Sequence, residues 1–311
     1  MKTRFILFCC LFTFLIQAQS PFSTQEIEVN TLLKGTLITP ATPDASNTLV
    51  ILIAGSGPTN RNGNQPGMLT NCYKFLGQSL AEKGISFFSY DKRIIAQVIQ
   101  KTMDEKALRF EDMVTDAKAI LLHFLNQKKY SKIVLIGHSE GSLVGMLAAP
   151  YGADAFVSLA GAGRAADAIL IEQLTRNNPE QKEGLRQCLD RLKDTGKWTC
   201  DVAIPGMESV FRLAILPYLR SWFVHNPANI IGALRMPVLI INGDKDLQVP
   251  VEDAALLKAA KPEAVYAIIP NMNHVLKNTP DEQANRQSYN DGKLPIEPQL
   301  TEVIMDFIKK L

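Results

Sequence analysis

The sequence predicts an α/β protein built on a doubly wound, mostly parallel sheet flanked by helices. Two patterns carry this expectation. Six short apolar runs recur along the chain, and such runs fit strands covered on both faces. Helical patterns separate most of them, and strand–helix–strand alternation closes into a parallel sheet. A third pattern interrupts the rhythm. Between the fourth and fifth runs, about 75 residues carry helical signals alone, too many for one crossover.

The elements follow in order along the 311 residues. Residues 1–18 read as a secretory signal. Lys2 and Arg4 form a positive start, and residues 5–16 are apolar except for Thr13. That run is too short to span a bilayer, which takes about 20 residues. Small residues follow at Ala18 and Ser20, with cleavage expected near Ala18 or Gln19. The expectation is an exported chain, periplasmic or extracellular, with no stable membrane anchor after cleavage. Residues 26–29 and 35–38 read as a hairpin. The buried-strand runs are 48–54, 85–90, 132–136, 155–160, 237–241 and 264–269. Helices are expected at 73–82, 110–127, 143–149, 251–260 and 300–310. The all-helical stretch is assigned helices at 165–174, 180–193 and 208–224. Residues 25–161 and 230–311 then form the core, and 162–229 a helical cap inserted over the carboxyl ends of the strands. Open α/β sheets bind their ligands at those ends.

Composition excludes two broad classes. The chain carries 33 Lys+Arg against 31 Asp+Glu, a formal charge of +2. The surplus is Lys2 and Arg4, so the rest is neutral. A nucleic-acid binder needs a basic excess to neutralise phosphates. At 46% hydrophobic residues, the chain has ample material for a core, unlike a disordered one. Three cysteines lie beyond the signal: Cys72, Cys188 and Cys200. Cys188 shares a helical face with Leu185, Leu189 and Leu192, which favours a buried free thiol over a Cys188–Cys200 disulfide. No His-Glu-x-x-His or Cys-x-x-Cys string occurs, so a metal site is not expected. The oligomeric state stays open.

The chemistry gathers at strand ends. Gly137-His138-Ser139-Glu140-Gly141 follows a buried run and opens a helix. A serine in that strand-to-helix turn sits in strained backbone, with its hydroxyl lifted above the sheet. Ser139 is the candidate nucleophile. The N–H of Glu140, at the start of the helix, is one candidate oxyanion donor. The Glu140 side chain is read as a helix-start acid, favoured there by the dipole. A serine hydroxyl needs a base. Of the four histidines, His123 lies in an apolar helix, His138 in the elbow facing away from the nucleophile, and His225 in the cap. His274 follows the last run and has the right address. The base needs an orienting carboxylate. Asp246 is preferred to Asp244, which follows Gly243 as a natural turn residue. The chain order Ser139, Asp246, His274 matches a serine–acid–histidine triad on such a sheet. The second oxyanion donor is assigned to the Ser56 N–H, in the loop Gly55-Ser56-Gly57-Pro58. A phosphate cradle is the rival reading of that loop. It lacks a Gly-Lys-Ser/Thr ending and the glycine spacing of a dinucleotide fingerprint. Gly161-Ala162-Gly163 is a weaker lookalike, read as the exit into the cap.

Together these motifs resemble the α/β-hydrolase superfamily. The elbow, the Gly-Ser-Gly-Pro loop, Gly243-x-x-Asp246 and Asn271-x-x-His274 carry the likeness. Tyr90-Asp91-Lys92-Arg93 resembles it too, with Ile94 where the family has Gly. Residues 55–64 with the Gly-His-Ser-Glu-Gly elbow are more narrowly similar to bacterial carboxylesterases grouped with serine aminopeptidase-like hydrolases. The resemblance covers roughly 25–311. It implies hydrolysis of a small-molecule ester through an acyl-serine intermediate, with no cofactor. An aminopeptidase or amidase, an acyltransferase, and a non-catalytic binding module are the alternatives. An aminopeptidase would need an acid for the substrate ammonium, with Glu172, Glu180 and Glu208 as candidates. The apolar residues at 211–223 are expected mainly to pack the cap, some of them lining an acyl pocket.

Overall fold

The computed structural model describes residues 20–45 and 47–311. The expected signal at residues 1–18 lies outside the described residues. Eight strands form one sheet: β1 (Phe22–Asn30), β2 (Leu33–Pro40), β3 (Thr48–Ile53), β4 (Ser86–Tyr90), β5 (Lys132–His138), β6 (Ala155–Leu159), β7 (Val238–Gly243) and β8 (Val265–Ile269). Their order across the sheet is β1-β2-β4-β3-β5-β6-β7-β8. β1 and β2 pair antiparallel, as does β2 with β4, and the remaining pairs are parallel.

Four helices precede β6: α1 (Cys72–Glu82), α2 (Arg93–Ile99), α3 (Phe110–Gln127) and α4 (Glu140–Ala148). Between β6 and β7 lie α5 (Ala166–Thr175), α6 (Lys182–Thr195), α7 (Met207–Val210), α8 (Leu216–Phe223) and α9 (Pro227–Gly232). Then come α10 (Val251–Ala260), α11 (Glu282–Ser288) and α12 (Pro298–Ile308). Among the described residues, no helix is long and apolar enough to cross a membrane.

Strand alternation divides the core in two. Ile133 and Leu135 of β5 join one buried cluster, and Val134 and Ile136 join the other. The second cluster is covered by Leu76 and Leu80 of α1 and by Leu300 and Ile304 of α12. The first takes Met113, Ala117, Ile120 and Phe124 of α3, a helical i, i+4, i+7, i+11 stripe. It runs on without a break into the insertion, where Trp222 stacks on Phe110 with ring centroids 5.9 Å apart.

Three details depart from the sequence reading. The helix expected over 208–224 is two helices. Pro217 stands in the first turn of α8, where its missing N–H costs nothing but where it cannot continue a preceding helix. α2, α9 and α11 do not figure among the expected helices. α2 buries none of its seven residues, and α11 is a single capped segment whose start is set by Asp281 accepting from the Ala284 N–H at 2.8 Å. The free-thiol expectation for Cys188 is overturned: it is bonded to Cys200. Its helical face was read correctly, since Leu185, Cys188, Leu189 and Leu192 are all buried. The pattern could not show that Gly196, left-handed at φ 72°, ends α6 and turns the chain back. That return brings the two Cα atoms to 5.1 Å, within disulfide reach. Cys72 is free and buried.

Candidate active site

Ser139 occupies the turn between β5 and α4 with φ 56° and ψ −123°, a conformation that side chains adopt at a cost. The surrounding backbone over-determines it. The Ser139 N–H donates to the Leu159 carbonyl at the end of β6, at 3.0 Å. A Cβ on Gly137 would lie 2.2 Å from the Gly141 carbonyl oxygen, and one on Gly141 2.3 Å from that of Ile53. Both glycines are therefore demanded by close backbone approach.

The loops after β7 and β8 bring the acid and the histidine to this turn. Asp246 Oδ1 accepts the backbone N–H groups of Gln248 and Val249, at 2.8 and 2.9 Å. This leaves Oδ2 for the His274 Nδ1–H, at 2.7 Å. With Nδ1 donating, Nε2 is the acceptor, and the Ser139 hydroxyl lies 3.1 Å from it. The Asp246 and His274 side chains are 1% and 5% exposed. Asp244 serves elsewhere. It accepts the Asn271 N–H at 2.7 Å and so ties the acid loop to the histidine loop.

The elbow pattern turns His138 away from Ser139, and neither of its ring nitrogens bonds Ser139, yet the ring is part of the site. It lies beneath His274, with ring centroids 4.9 Å apart. The Tyr73 hydroxyl accepts the Gly55 N–H at 3.2 Å and lies 2.7 Å from His138 Nδ1, to which it donates when the ring is neutral. His138 Nε2–H is left to donate to the His274 carbonyl, at 2.8 Å. This wiring requires a neutral imidazole. Burial, followed by the adjacent His274, pushes its pKa down to about 3.

Ser56 and Glu140 also meet here. The Glu140 side chain stands in the first turn of α4 as expected, but it is 2% exposed and paired with Lys92 Nζ at 2.8 Å. Lys92 is itself buried, and also donates to the Gly55 carbonyl at 2.9 Å. The reading of the sequence missed Lys92. Its signal is the Tyr-Asp-Lys-Arg string, which carries a family likeness but names no task for the lysine. The string has three separate tasks. Asp91 takes the Arg61 N–H at 2.8 Å and its guanidinium at 2.7 and 3.0 Å. Arg93 pairs with Asp112 and Asp116 of α3.

These bonds immobilise the loop after β3. The Gly55 N–H is held by Tyr73 and its carbonyl by Lys92. The Ser56 carbonyl accepts from Thr59 Oγ1 at 3.0 Å and Gln65 Nε2 at 2.8 Å. The Ser56 N–H has no protein acceptor among the described residues. It belongs to the same peptide unit as the Gly55 carbonyl and points oppositely to it. Gly55 lies so close to Ser139 that a Cβ on the glycine would be 3.1 Å from the serine Cβ. Ser139 opens onto two cavities, of about 230 and 350 Å³. Among the described residues, no cluster of His, Cys, Asp and Glu could hold a metal ion.

His123 and His225 are elsewhere. His123 pairs with Gln127 on the surface of α3, and His225 with Glu111 beside Phe110. Of the acids considered for an ammonium, Glu172 is paired with Arg164, while Glu180 and Glu208 are exposed.

Comparison with known proteins agrees with this architecture. Residues 67–187 match the family model described as serine aminopeptidase, S33. Esterase EstD of Thermotoga maritima is 26% identical over 251 residues, covering 75% of this chain and 57% of the relative. The chain thus spans little more than half the length of that relative. Est1E from Butyrivibrio proteoclasticus matches with a TM-score of 0.56 at 18% identity, over 92% of this chain and 99% of that one. A bromoperoxidase from Bacillus anthracis matches with a TM-score of 0.52 at 17% identity, over 92% and 100%. With its eight-stranded sheet and serine elbow, the chain has the α/β-hydrolase fold, and it is similar to the serine aminopeptidase S33 family over residues 67–187 and to a bacterial esterase over most of its length.

Proposed function

We propose that the protein is an exported serine carboxylesterase. The observation that carries this reading is the unbroken hydrogen-bonded chain from Asp246 through His274 to Ser139. Ser139 Oγ attacks the ester carbonyl as its proton passes to His274 Nε2. Asp246 holds the imidazole in the right tautomer and stabilises its charged form. The Ser56 and Glu140 N–H groups receive the oxyanion, and one such donor contributes roughly 2.7–4 kcal/mol to the transition state. Collapse expels the alkoxide, which takes the proton from His274. Water then repeats the sequence on the acyl-serine.

Lys92 readies this hole before substrate arrives. By gripping the Gly55 carbonyl it fixes the direction of the Ser56 N–H. By pairing with Glu140 it ties the loop after β3 to the residue that supplies the other donor.

An aminopeptidase reading is less well supported. Its ammonium would need an unpaired acid near Ser139. Glu140 and Glu172 are each neutralised by a cation, and Glu180 and Glu208 are solvent-facing. Export rests on the signal pattern. The Cys188–Cys200 disulfide supports it, since such bonds persist in oxidising compartments. The experiment is hydrolysis of short p-nitrophenyl esters beside aminoacyl amides. Ester turnover abolished by Ser139→Ala is expected. Amide cleavage without ester cleavage would overturn the reading.

A further inference from the structure

We propose that the two cavities meeting at Ser139 sort the substrate by polarity: a compact apolar acyl group on one side, a polar hydroxylated alcohol on the other. The proposal rests on Ser139 being acylated with His274 as its base.

The assignment of sides follows from proton transfer. The scissile C–O bond breaks with its electron pair going to the alcohol oxygen, which takes the proton that His274 Nε2 received from Ser139. The alcohol must therefore lie where His274 is. His274 lines the 350 Å³ cavity and not the 230 Å³ one. The deacylating water gives its proton to the same nitrogen and must enter on the same side. That chamber holds the departing alcohol in the first half-reaction and admits water in the second, whereas the other can stay dry throughout.

The linings match these demands. The His274 chamber includes Thr59, Gln65, Gln248 and Tyr289. Gln248 Nε2 donates to the Tyr289 hydroxyl at 2.9 Å, so the tyrosine proton remains available to an incoming hydroxyl group. Gln65 uses its amide protons on Ser56 and Thr59, which leaves its Oε1 as an acceptor. The smaller chamber is walled by Leu143, Ile169, Leu170, Val210, Leu219 and Trp222; its polar lining includes Gln173, Gln248, which both chambers share, and Arg164, already paired with Glu172 and Asp253. An apolar cavity of about 150 Å³ is enough for benzene, so 230 Å³ takes an acyl chain of about six carbons or a ring on a short linker.

Leu219 and Trp222 set the limit. Both also line a third cavity, of about 770 Å³, which shares Ser56 and Glu140 with the acyl chamber but is lined by neither Ser139 nor His274. The two side chains of α8 thus stand between the acyl chamber and a much larger space. They act as specificity-determining residues through the wall they form.

The test is a kcat/KM matrix on purified protein, with each variant's melting temperature recorded. Across p-nitrophenyl acetate, hexanoate and dodecanoate, the expected maximum is at hexanoate, with dodecanoate down by about tenfold or more. Trp222→Ala is expected to raise the dodecanoate-to-hexanoate ratio about tenfold, and Leu170→Trp to lower the hexanoate-to-acetate ratio by a similar factor. With hexanoyl held constant, glucose and glycerol esters should exceed the ethyl ester, and Tyr289→Phe should narrow that gap. Leu170→Trp requires no cavity to be created, so it tests the wall even if Trp222→Ala fails to fold. Ester turnover in which Leu170→Trp alters alcohol preference but not acyl preference would reverse the sides and overturn the proposal. Unchanged acyl ratios in folded variants would overturn it as well. If the wild-type protein cleaves no ester in any lane, the underlying esterase reading fails instead.

Discussion

Lys92 is the residue whose role most separates catalysis from stability. Lys92→Met leaves Glu140 buried without its cation, and breaking such a pair costs about 3–5 kcal/mol. A fall in melting temperature is therefore expected from the single variant. Adding Glu140→Gln removes the stranded charge and should recover most of that fall. The Ser56 N–H would still lack its brace, so kcat should stay depressed by about a hundredfold, with KM little altered, the loss seen when an oxyanion donor is misplaced. Recovery of kcat together with melting temperature would reduce Lys92 to a purely structural role.

His138 gives a prediction in pH. Its pKa is about 3 in the fold against an ordinary 6.5. Between those values the unfolded chain binds a proton that the fold refuses, so stability present above pH 6.5 is lost as pH falls toward 3. Gln can accept from Tyr73 and donate to the His274 carbonyl without titrating. His138→Gln should therefore lose less stability than the wild type over that window, as read by denaturant unfolding at each pH. Parallel losses would show that His138 is not the group responsible. Its sequence position could not reveal this wiring, because Tyr73 and the His274 carbonyl arrive from distant parts of the chain.

Elements were legible where one pattern decided them. The runs at 48–54, 85–90, 132–136 and 155–160 became β3 to β6 because an apolar stretch of that length has nowhere to go but the middle of a sheet. α3 was readable to the residue from its stripe. α2 was not, since it buries none of its side chains and carries no period to read. The break between α7 and α8 turned on Pro217, which was visible but was outvoted by the apolar pattern around it. Cys188 is the converse case, a face read correctly and a partner missed. The bond closes a 12-residue separation, and loop-closure entropy gives it about 3 kcal/mol. Thiol titration of unreduced, denatured residues 20–311 should count one group, Cys72. Replacing both Cys188 and Cys200 by Ala should lower the melting temperature by several degrees. A count of three would exclude the disulfide.

At the scale of the molecule, sheet order is what makes distant residues neighbours. β3, β5, β6, β7 and β8 lie in register, so the loops leaving their carboxyl ends deliver Ser56, Ser139, Asp246 and His274 to one edge. The sequence named these four because each follows a buried strand, and strand ends are where such a sheet binds ligands. It assigned no role to Lys92, Tyr73 or His138, whose value lies in bonds to backbone groups that no motif records. It also left substrate preference open, because the insertion between β6 and β7 reads only as apolar helices until its walls are seen around Ser139.

The central claim is that Ser139 is the nucleophile activated by His274 and Asp246. Its most direct test is to treat the protein with a fluorophosphonate, map the adduct by peptide mass spectrometry, and follow ester hydrolysis in the same samples. A single adduct on Ser139, formed in step with loss of hydrolysis and absent from His274→Ala, is the predicted result. An adduct on another residue, or full hydrolysis by Ser139→Ala, would contradict it.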